Sequence, residues 1–431
     1  MQKKSRHFKL ALIGNMNNNN FSLLRYFRDA GVDAHLLLYS NDGKASCSHF
    51  KPQDDTFNYS FWKPYIHRTS LYNGAEQALP SLLFLIFYSL NKIRSIILRK
   101  QNYIHYISKN YLRKLLDSYD GIITSGYALS IISKIGVNVD IYYPYATGIE
   151  GIRRYKAMSS DNIISRLIFE YGRKTQIRSL KCAKNIFNAD MGQTKLAFNS
   201  LNIPFYKIPV PMVYRESFPK DNQDSNYNNI RNILQVSDFS IMIHSRLAWK
   251  TDTCTKHKVD SKNNHWLIHA FKSVLQQFPG KVCKLVILEY GPDVKATKEL
   301  VKKLNLCNHT IWLKKTNRKN LMWLLQYVSL GVGEFQSAPG TIWGGTGWEV
   351  LCMGKPLLQG FLFEDGEFEK IFGFPEPPIL KVRTKCDIEK HLISAIKTPS
   401  ILSSKSQESY TWFNHYNGKK LANKWLKYLK Y

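Results

Sequence analysis

The chain has 431 residues, with 61 Lys and Arg against 32 Asp and Glu and a formal net charge of +29. That length predicts two or three domains of roughly 150 residues each, and the content of 44% hydrophobic and 13% aromatic residues excludes global disorder. Seven cysteines, at positions 47, 182, 254, 283, 307, 352 and 386, form no C-x-x-C pair, which excludes a zinc ribbon and a disulfide framework and fits a reducing compartment.

The basic start, Met1 to Arg6, runs straight into a short strand, Lys9–Ile13, and has no secretory-signal pattern. The strand breaks at Gly14 and the asparagine-rich stretch Asn15–Asn20, which reads as a loop at its carboxyl end. A helix over Phe21–Ala30 stops at Gly31, and Ala34–Tyr39 is the next strand. This is a βαβ unit of a parallel sheet, and ligands meet such sheets at the carboxyl ends of the strands, which makes Gly14 a candidate. Gly14 lacks the partners of a dinucleotide fingerprint. The apolar run Leu79–Leu90 contains a Pro and is shorter than the roughly 20 residues of a spanning helix. It is followed by Lys92, Arg94, Arg99 and Lys100, so it reads as ordinary core or as a helix lying on an anionic leaflet. Strands follow at Gly121–Thr124, Ile141–Tyr143 and Asn185–Phe187, with basic amphipathic helices over Ile93–Leu116 and Ile163–Lys184. Asp221–Asn229 is polar and rich in turn formers and reads as a linker.

A second alternating series begins after it. Strands are expected at Ser240–His244, Lys284–Leu288, Thr310–Leu313, Leu330–Val332 and Pro356–Leu358, and helices at Trp266–Phe278, Val294–Leu304, Leu321–Val328 and from Trp348 to Met353. The tail Tyr410–Tyr431 reads as basic and helical, with Trp412, Trp425, Leu426 and Leu429 available to pack. The fold class is therefore α/β, with two doubly wound, Rossmann-like domains facing a cleft, residues 1–225 and residues 230–405, and a helix over residues 406–431 returning to the first.

The densest chemistry lies in Gly340–Gln359. Gly344, Gly345 and Gly347 stand at the mouth of a helix, where free N–H groups suit a diphosphate, with Thr346 among them. Glu349, placed in the first helical turn, is an acceptor for a pair of sugar hydroxyls.

These residues carry a resemblance. The second half is similar to the donor domain of GT-B glycosyltransferases, nearest to the retaining glycosyltransferase family 4, or group 1, type. His244-Ser245-Arg246-Leu247, then Lys262 and Trp266 to Phe271, resembles that family's strand, Arg-Leu, Lys and helix segment. Leu285 to Pro292 resembles its strand and Gly-Pro loop, which includes Gly291, and Gly344 to Pro356 resembles its Gly loop, helix-borne Glu and Gly-x-Pro ending. The resemblance implies a nucleotide diphosphate-sugar donor whose leaving diphosphate is neutralised by Arg246 and a lysine, with no metal and no other cofactor. Lys262 is the matched lysine, and Lys250 competes with it because Thr251–Ser261 is inserted between the two. The family's first acid stands eight residues before Glu349, where this chain has Thr341. Glu334 lies farther upstream, out of register unless a loop insertion returns it.

In the first half, Glu150 at the end of Pro144–Glu150 follows a strand and is a candidate base or acceptor ligand. Pairing with Arg153 or Arg154 is the plain alternative. His35, His105 and His269 read as core or rim histidines. No D-x-D triplet and no G-x-S-x-G elbow is present. The leading expectation is a hexosyltransferase acting on a lipid-linked or polysaccharide acceptor in bacterial surface glycan synthesis. It would be cytoplasmic, with peripheral contact at the inner face of the membrane. A non-catalytic nucleotide-sugar or polyanion-binding protein of the same fold stays open. A nucleic-acid binder rests on charge alone, with no readable module, and nucleic acid is not an expected partner.

Overall fold

A computed structural model describes residues 8–39, 51–69, 109–126, 128–144, 163–189, 192–250, 261–335 and 344–429, with a few isolated positions between them. The strands are β1 (Lys9–Ile13), β2 (Asp33–Leu38), β3 (Ile66–Arg68), β4 (Gly121–Ser125), β5 (Val139–Tyr143) and β6 (Ala183–Ile186) in the first half. The second half contributes β7 (Phe239–Ile243), β8 (Cys283–Glu289), β9 (Thr310–Lys314), β10 (Leu330–Val332), β11 (Leu357–Gly360) and β12 (Leu380–Val382).

Each half forms one six-stranded sheet, in the orders β3-β2-β1-β4-β5-β6 and β12-β11-β10-β7-β8-β9. All pairings are parallel. Leu12 stands between Leu36 and Ile123, and Met242 between Val286 and Gly331. Continuous apolar runs explain this. Strands β4, β5 and β7 are buried at every position, as parallel strands covered on both faces must be. Both sheets are sandwiched, the first between clusters around Phe21 and Ile132, the second between clusters around Trp323 and Phe271. In each sheet the order reverses beside the first strand of the half, between β1 and β4 and between β7 and β10. Those are the switch points where such sheets open a crevice.

Three expectations need correction. Asp221–Asn229 is no free linker. Asp224 caps a helix, Ser225–Gln235, by accepting from the Asn226 N–H at 2.9 Å. The Asn222 side-chain oxygen accepts from the Asp224 N–H at 3.1 Å, and Tyr227, Ile230 and Leu234 are buried at helical spacing. Asn and Asp here are turn and cap chemistry, not solvated chain. The helix expected from Trp348 opens three residues earlier, spanning Gly345–Cys352 with Gly344 as N-cap, so Glu349 stands in its second turn. The helix expected over Leu321–Val328 spans Arg318–Leu325, which brings Arg318 to its first turn.

The C-terminal segment forms helices Ser400–Tyr416 and Lys419–Leu426. Trp412 stacks on Trp348 at 5.8 Å in the second core. Leu421, Ala422 and Trp425 enter the first core, where the Trp425 indole donates to the Pro209 carbonyl at 2.8 Å. No helix among the described residues is long and apolar enough to cross a membrane.

Candidate functional site

The carboxyl ends of the two sheets meet at a cleft of about 600 Å³. Its walls come from Asn17, Asp54 and Asp55 of the first half and from segments of the second half that follow β7, β8, β9 and β10. His244 and Arg246 follow β7, Glu334 follows β10, and Gly345, Thr346 and Glu349 lie on the Gly345–Cys352 helix. That helix packs close against β10 because position 331 is glycine. A Cβ there would stand 2.4 Å from a Val350 methyl.

Glu349 is the buried centre of the site. One carboxylate oxygen accepts from Arg318 Nε at 2.7 Å and the other pairs with His244 Nε2 at 2.9 Å. Burial pushes its carboxyl up, but Arg318 and the His244 hydrogen bond pull harder the other way and leave it at about 2. Arg318 reaches both halves of the chain, because its Nη1 donates to Asp55 at 2.7 Å and to the Asn17 carbonyl at 3.0 Å. Its guanidinium is held well above the ordinary range, burial opposing and Asp55 and Glu349 prevailing. For Asp55 burial wins, so its carboxyl lies above its ordinary value despite Arg318 and Arg25.

The asparagine-rich loop is tied together by its own side chains. Asn15 donates to the Asn18 side chain at 2.7 Å, and Asn20 donates to the Gly14 carbonyl at 2.6 Å. Tyr143 donates to the Asn20 side-chain oxygen at 2.7 Å, and Asn18 donates to Asp55 at 2.8 Å. Asn17 and Asn18 take φ of 51° and 58°, a left-handed conformation that asparagine tolerates. The amides thus fix the end of β1 and the Asp55 loop against each other.

Of the expected site residues, Arg246, Lys262, Gly345, Thr346 and Glu349 line the cleft together. Lys262, not Lys250, is the lysine of the wall. Lys250 is exposed on the preceding loop, where its N–H donates to Asp293 at 2.6 Å. Lys262 forms a 2.8 Å ion pair with Glu334, so the acid that looked out of register does enter the cleft. Gly344 stands behind it, with the Glu334 carboxylate 3.2 Å from where a Cβ would be, and Gly347 is buried in the first turn. Gly291, at φ 122°, faces the Leu247 backbone, where a Cβ would stand 2.4 Å from its carbonyl, so it shapes the Arg246 loop and does not line the cleft. Gly14 likewise packs inside the first sheet against Ser125 and Tyr39. Glu150 and Thr341 lie outside the described residues. Arg318 and Asp55 were missed. Arg318 sat at a helix start read three residues late, and Asp55 lies in a segment without periodicity.

Four carboxylates in the cleft wall, Asp54, Asp55, Glu334 and Glu349, face four cations, Arg246, Lys262, Lys315 and Arg318. The large positive charge of the chain therefore lies elsewhere. The site offers fixed guanidinium and ammonium groups and a glycine-rich helix mouth, a set suited to a phosphorylated ligand. Among the described residues no cluster of His, Cys, Asp or Glu is arranged to hold a metal ion.

No protein-family model matches the chain, and no characterised protein matches it by sequence. Solved structures match it along nearly its whole length. A glycosyltransferase from Rickettsia africae is 12% identical, with 99% of this chain and 98% of that one covered and a TM-score of 0.56. A UDP-GlcNAc 2-epimerase from Neisseria meningitidis, solved bound to UDP-GlcNAc, is 11% identical, with 98% and 99% covered and a TM-score of 0.54. A mutant of TarM from S. aureus, solved in a complex containing UDP, is 11% identical, with 98% and 100% covered and a TM-score of 0.52. Two parallel six-stranded sheets with the same strand order, meeting at a cleft where both reverse, give this chain the GT-B fold that glycosyltransferases and UDP-GlcNAc 2-epimerases share.

Proposed function

We propose that the protein is a glycosyltransferase that takes a sugar from a nucleotide diphosphate-sugar and passes it to a lipid-linked or polysaccharide acceptor in bacterial surface glycan synthesis. The observation that carries this reading is the convergence of Arg246, Lys262, the Gly345–Cys352 helix mouth and Glu349 on one cleft. The diphosphate lies against Arg246, Lys262 and the free N–H groups of the helix, which stabilise the charge that grows as the bond to the sugar breaks. Lys262 turns from Glu334 to phosphate oxygens, and the Glu334 carboxylate accepts from a donor-sugar hydroxyl, the task of the missing first acid. Glu349 has two bonds in place and, with about four lone-pair sites, still accepts the ribose hydroxyls. In the transfer step the acceptor oxygen bonds the anomeric carbon, the carbon–oxygen bond to the diphosphate breaks, and the acceptor proton leaves with the diphosphate. Retention of configuration, independence of metal and a role for Glu150 beside the acceptor belong to the same proposal.

Peripheral membrane contact belongs to it as well. Residues 86, 89, 90, 93, 96 and 97 are helical, and Ile86, Leu90, Ile93, Ile96 and Ile97 expose 49–73% of their surface. From Gln77 to Leu116 there are seven Lys and Arg and no Asp or Glu. An apolar stripe within a basic segment suits an anionic leaflet.

The test is incubation with UDP-, GDP-, ADP-, dTDP- and CMP-sugars with and without glycan or lipid-linked acceptors. Release of a nucleoside diphosphate with a new glycosidic product supports the proposal, and turnover of the CMP-sugar alone overturns the diphosphate donor. Epimerised sugar with the nucleotide still attached, or binding without turnover, overturns it.

A further inference from the structure

The cleft floor contains a feature that the donor chemistry does not need. One guanidinium joins the two domains. From Arg318, at the start of a second-domain helix, Nε goes to Glu349 at 2.7 Å, and Nη1 goes to Asp55 at 2.7 Å and the Asn17 carbonyl at 3.0 Å, both in the first domain. The chain of contacts continues in both directions. Asp55 receives Asn18 at 2.8 Å, and Asn18 belongs to the asparagine network at the end of β1. Glu349 receives His244, the residue after β7. A continuous string, Asn18, Asp55, Arg318, Glu349, His244, thus runs between the switch points of the two sheets, and the side chains of Asp55, Arg318 and Glu349 are 3%, 14% and 7% exposed.

We infer that Arg318 is a positioning residue that ties closure of the two domains to the pose of Glu349, the carboxylate assigned above to the nucleotide ribose. Three arguments support it. A planar guanidinium can serve acceptors in two directions at fixed angles, which an ammonium cannot. Opening the cleft must separate Arg318 from Asp55 or from Glu349, and either break leaves a poorly solvated charge without its partner. Beside it, the Nζ of half-buried Lys319 donates to the Gln53 carbonyl at 3.2 Å and lies 5.4 Å from the Phe57 ring, a second contact across the cleft made to a carbonyl and a ring rather than to a buried carboxylate. A nucleotide bound to Glu349 therefore meets a carboxylate already oriented from the other domain, and closure and binding favour each other.

This inference rests on the proposed donor site only for the role of Glu349, and its test does not need turnover. In the full chain without nucleotide, Asp55→Asn and Arg318→Lys are compared with wild type by amide hydrogen exchange. The expectation is at least tenfold faster exchange both at 15–20 and 51–57 in the first domain and at 345–352 in the second. The Asp55 variant must transmit its effect across the cleft to do so. Lys319→Ala should leave exchange at 345–352 within about twofold of wild type. Should Arg318→Lys fail to fold, Asp55→Asn alone decides. Faster exchange confined to 51–57, or none, overturns the inference. Where nucleotide-sugar turnover is seen, Asp55→Asn should raise KM for the donor at least tenfold, because closure no longer favours binding, and an unchanged KM also overturns it. Cross-domain exchange without any nucleotide-sugar binding would sustain the Arg318 linkage and remove the donor reading instead.

Discussion

Replacing Glu349 by Gln keeps the shape of the side chain and removes its charge. In the wild type the carboxylate is buried and bonded to Arg318 and His244, with its pKa drawn to about 2 from an ordinary 4.5. A carboxyl whose folded pKa is depressed adds stability that is fully present above its unfolded pKa and is lost as pH falls through the folded one. A depression from 4.5 to about 2, at 1.36 kcal/mol per pKa unit, corresponds to about 3 kcal/mol. Removing one partner of a buried pair costs roughly 3–5 kcal/mol. Arg318 keeps Asp55 in the variant, so the lower end applies. At about 2–4 °C per kcal/mol for a domain of this size, Glu349→Gln should melt roughly 6–12 °C below wild type at pH 7. The gap should close as pH falls from about 4.5 towards 2, because protonation of Glu349 removes the same contribution from the wild type. Calorimetric melts of both proteins across that range are the assay. Equal melting temperatures at pH 7, or a gap unchanged down to pH 2, would refute the ionised, doubly bonded Glu349.

Arg246→Ala should lower turnover of the donor a hundred- to thousandfold, about 2.7–4 kcal/mol in the barrier, with a smaller loss of nucleotide affinity. Steady-state kinetics beside calorimetric titration separates the two. Trp425→Ala empties a fully buried site between Phe187 and Tyr143 and should cost about 3–5 kcal/mol, read as a lower denaturant midpoint reported from the first domain. The protein should co-sediment with anionic vesicles and be released by high salt; equal binding to neutral vesicles, or none, would leave the Ile86–Ile97 stripe without that role.

Much of the frame was legible because its signal is physical and local. Strand β1 was read with its observed bounds, Lys9–Ile13, and β10 with Leu330–Val332, since short apolar runs between turn formers have few alternatives inside a parallel sheet. Polar composition misled over Asp221–Asn229, which reads as a linker although Asp224 caps the Ser225–Gln235 helix. The Asn15–Asn20 loop is held at the switch point by its own amides, Asn15, Asn18 and Asn20. The family resemblance put Arg246, Lys262 and Glu349 in one site, and all three line the cleft. It did not find Arg318 or Asp55, because their partners lie 263 residues apart in the chain and no periodicity marks a contact between domains.

The claim that the cleft takes a nucleotide diphosphate is tested most directly by calorimetric titration of wild type and Gly345→Leu with UDP, GDP, ADP, dTDP and CMP. Position 345 has room for a Cβ, whose nearest neighbours would be the Glu349 carboxylate at 3.7 Å and Arg318 Nη2 at 3.8 Å. A leucine beyond it would project into the space assigned to the phosphates. Saturable 1:1 binding of at least one of the four nucleoside diphosphates to the wild type, lost in a folded Gly345→Leu, is the result this account predicts. Binding of none of them, or equal binding by both proteins, would contradict it.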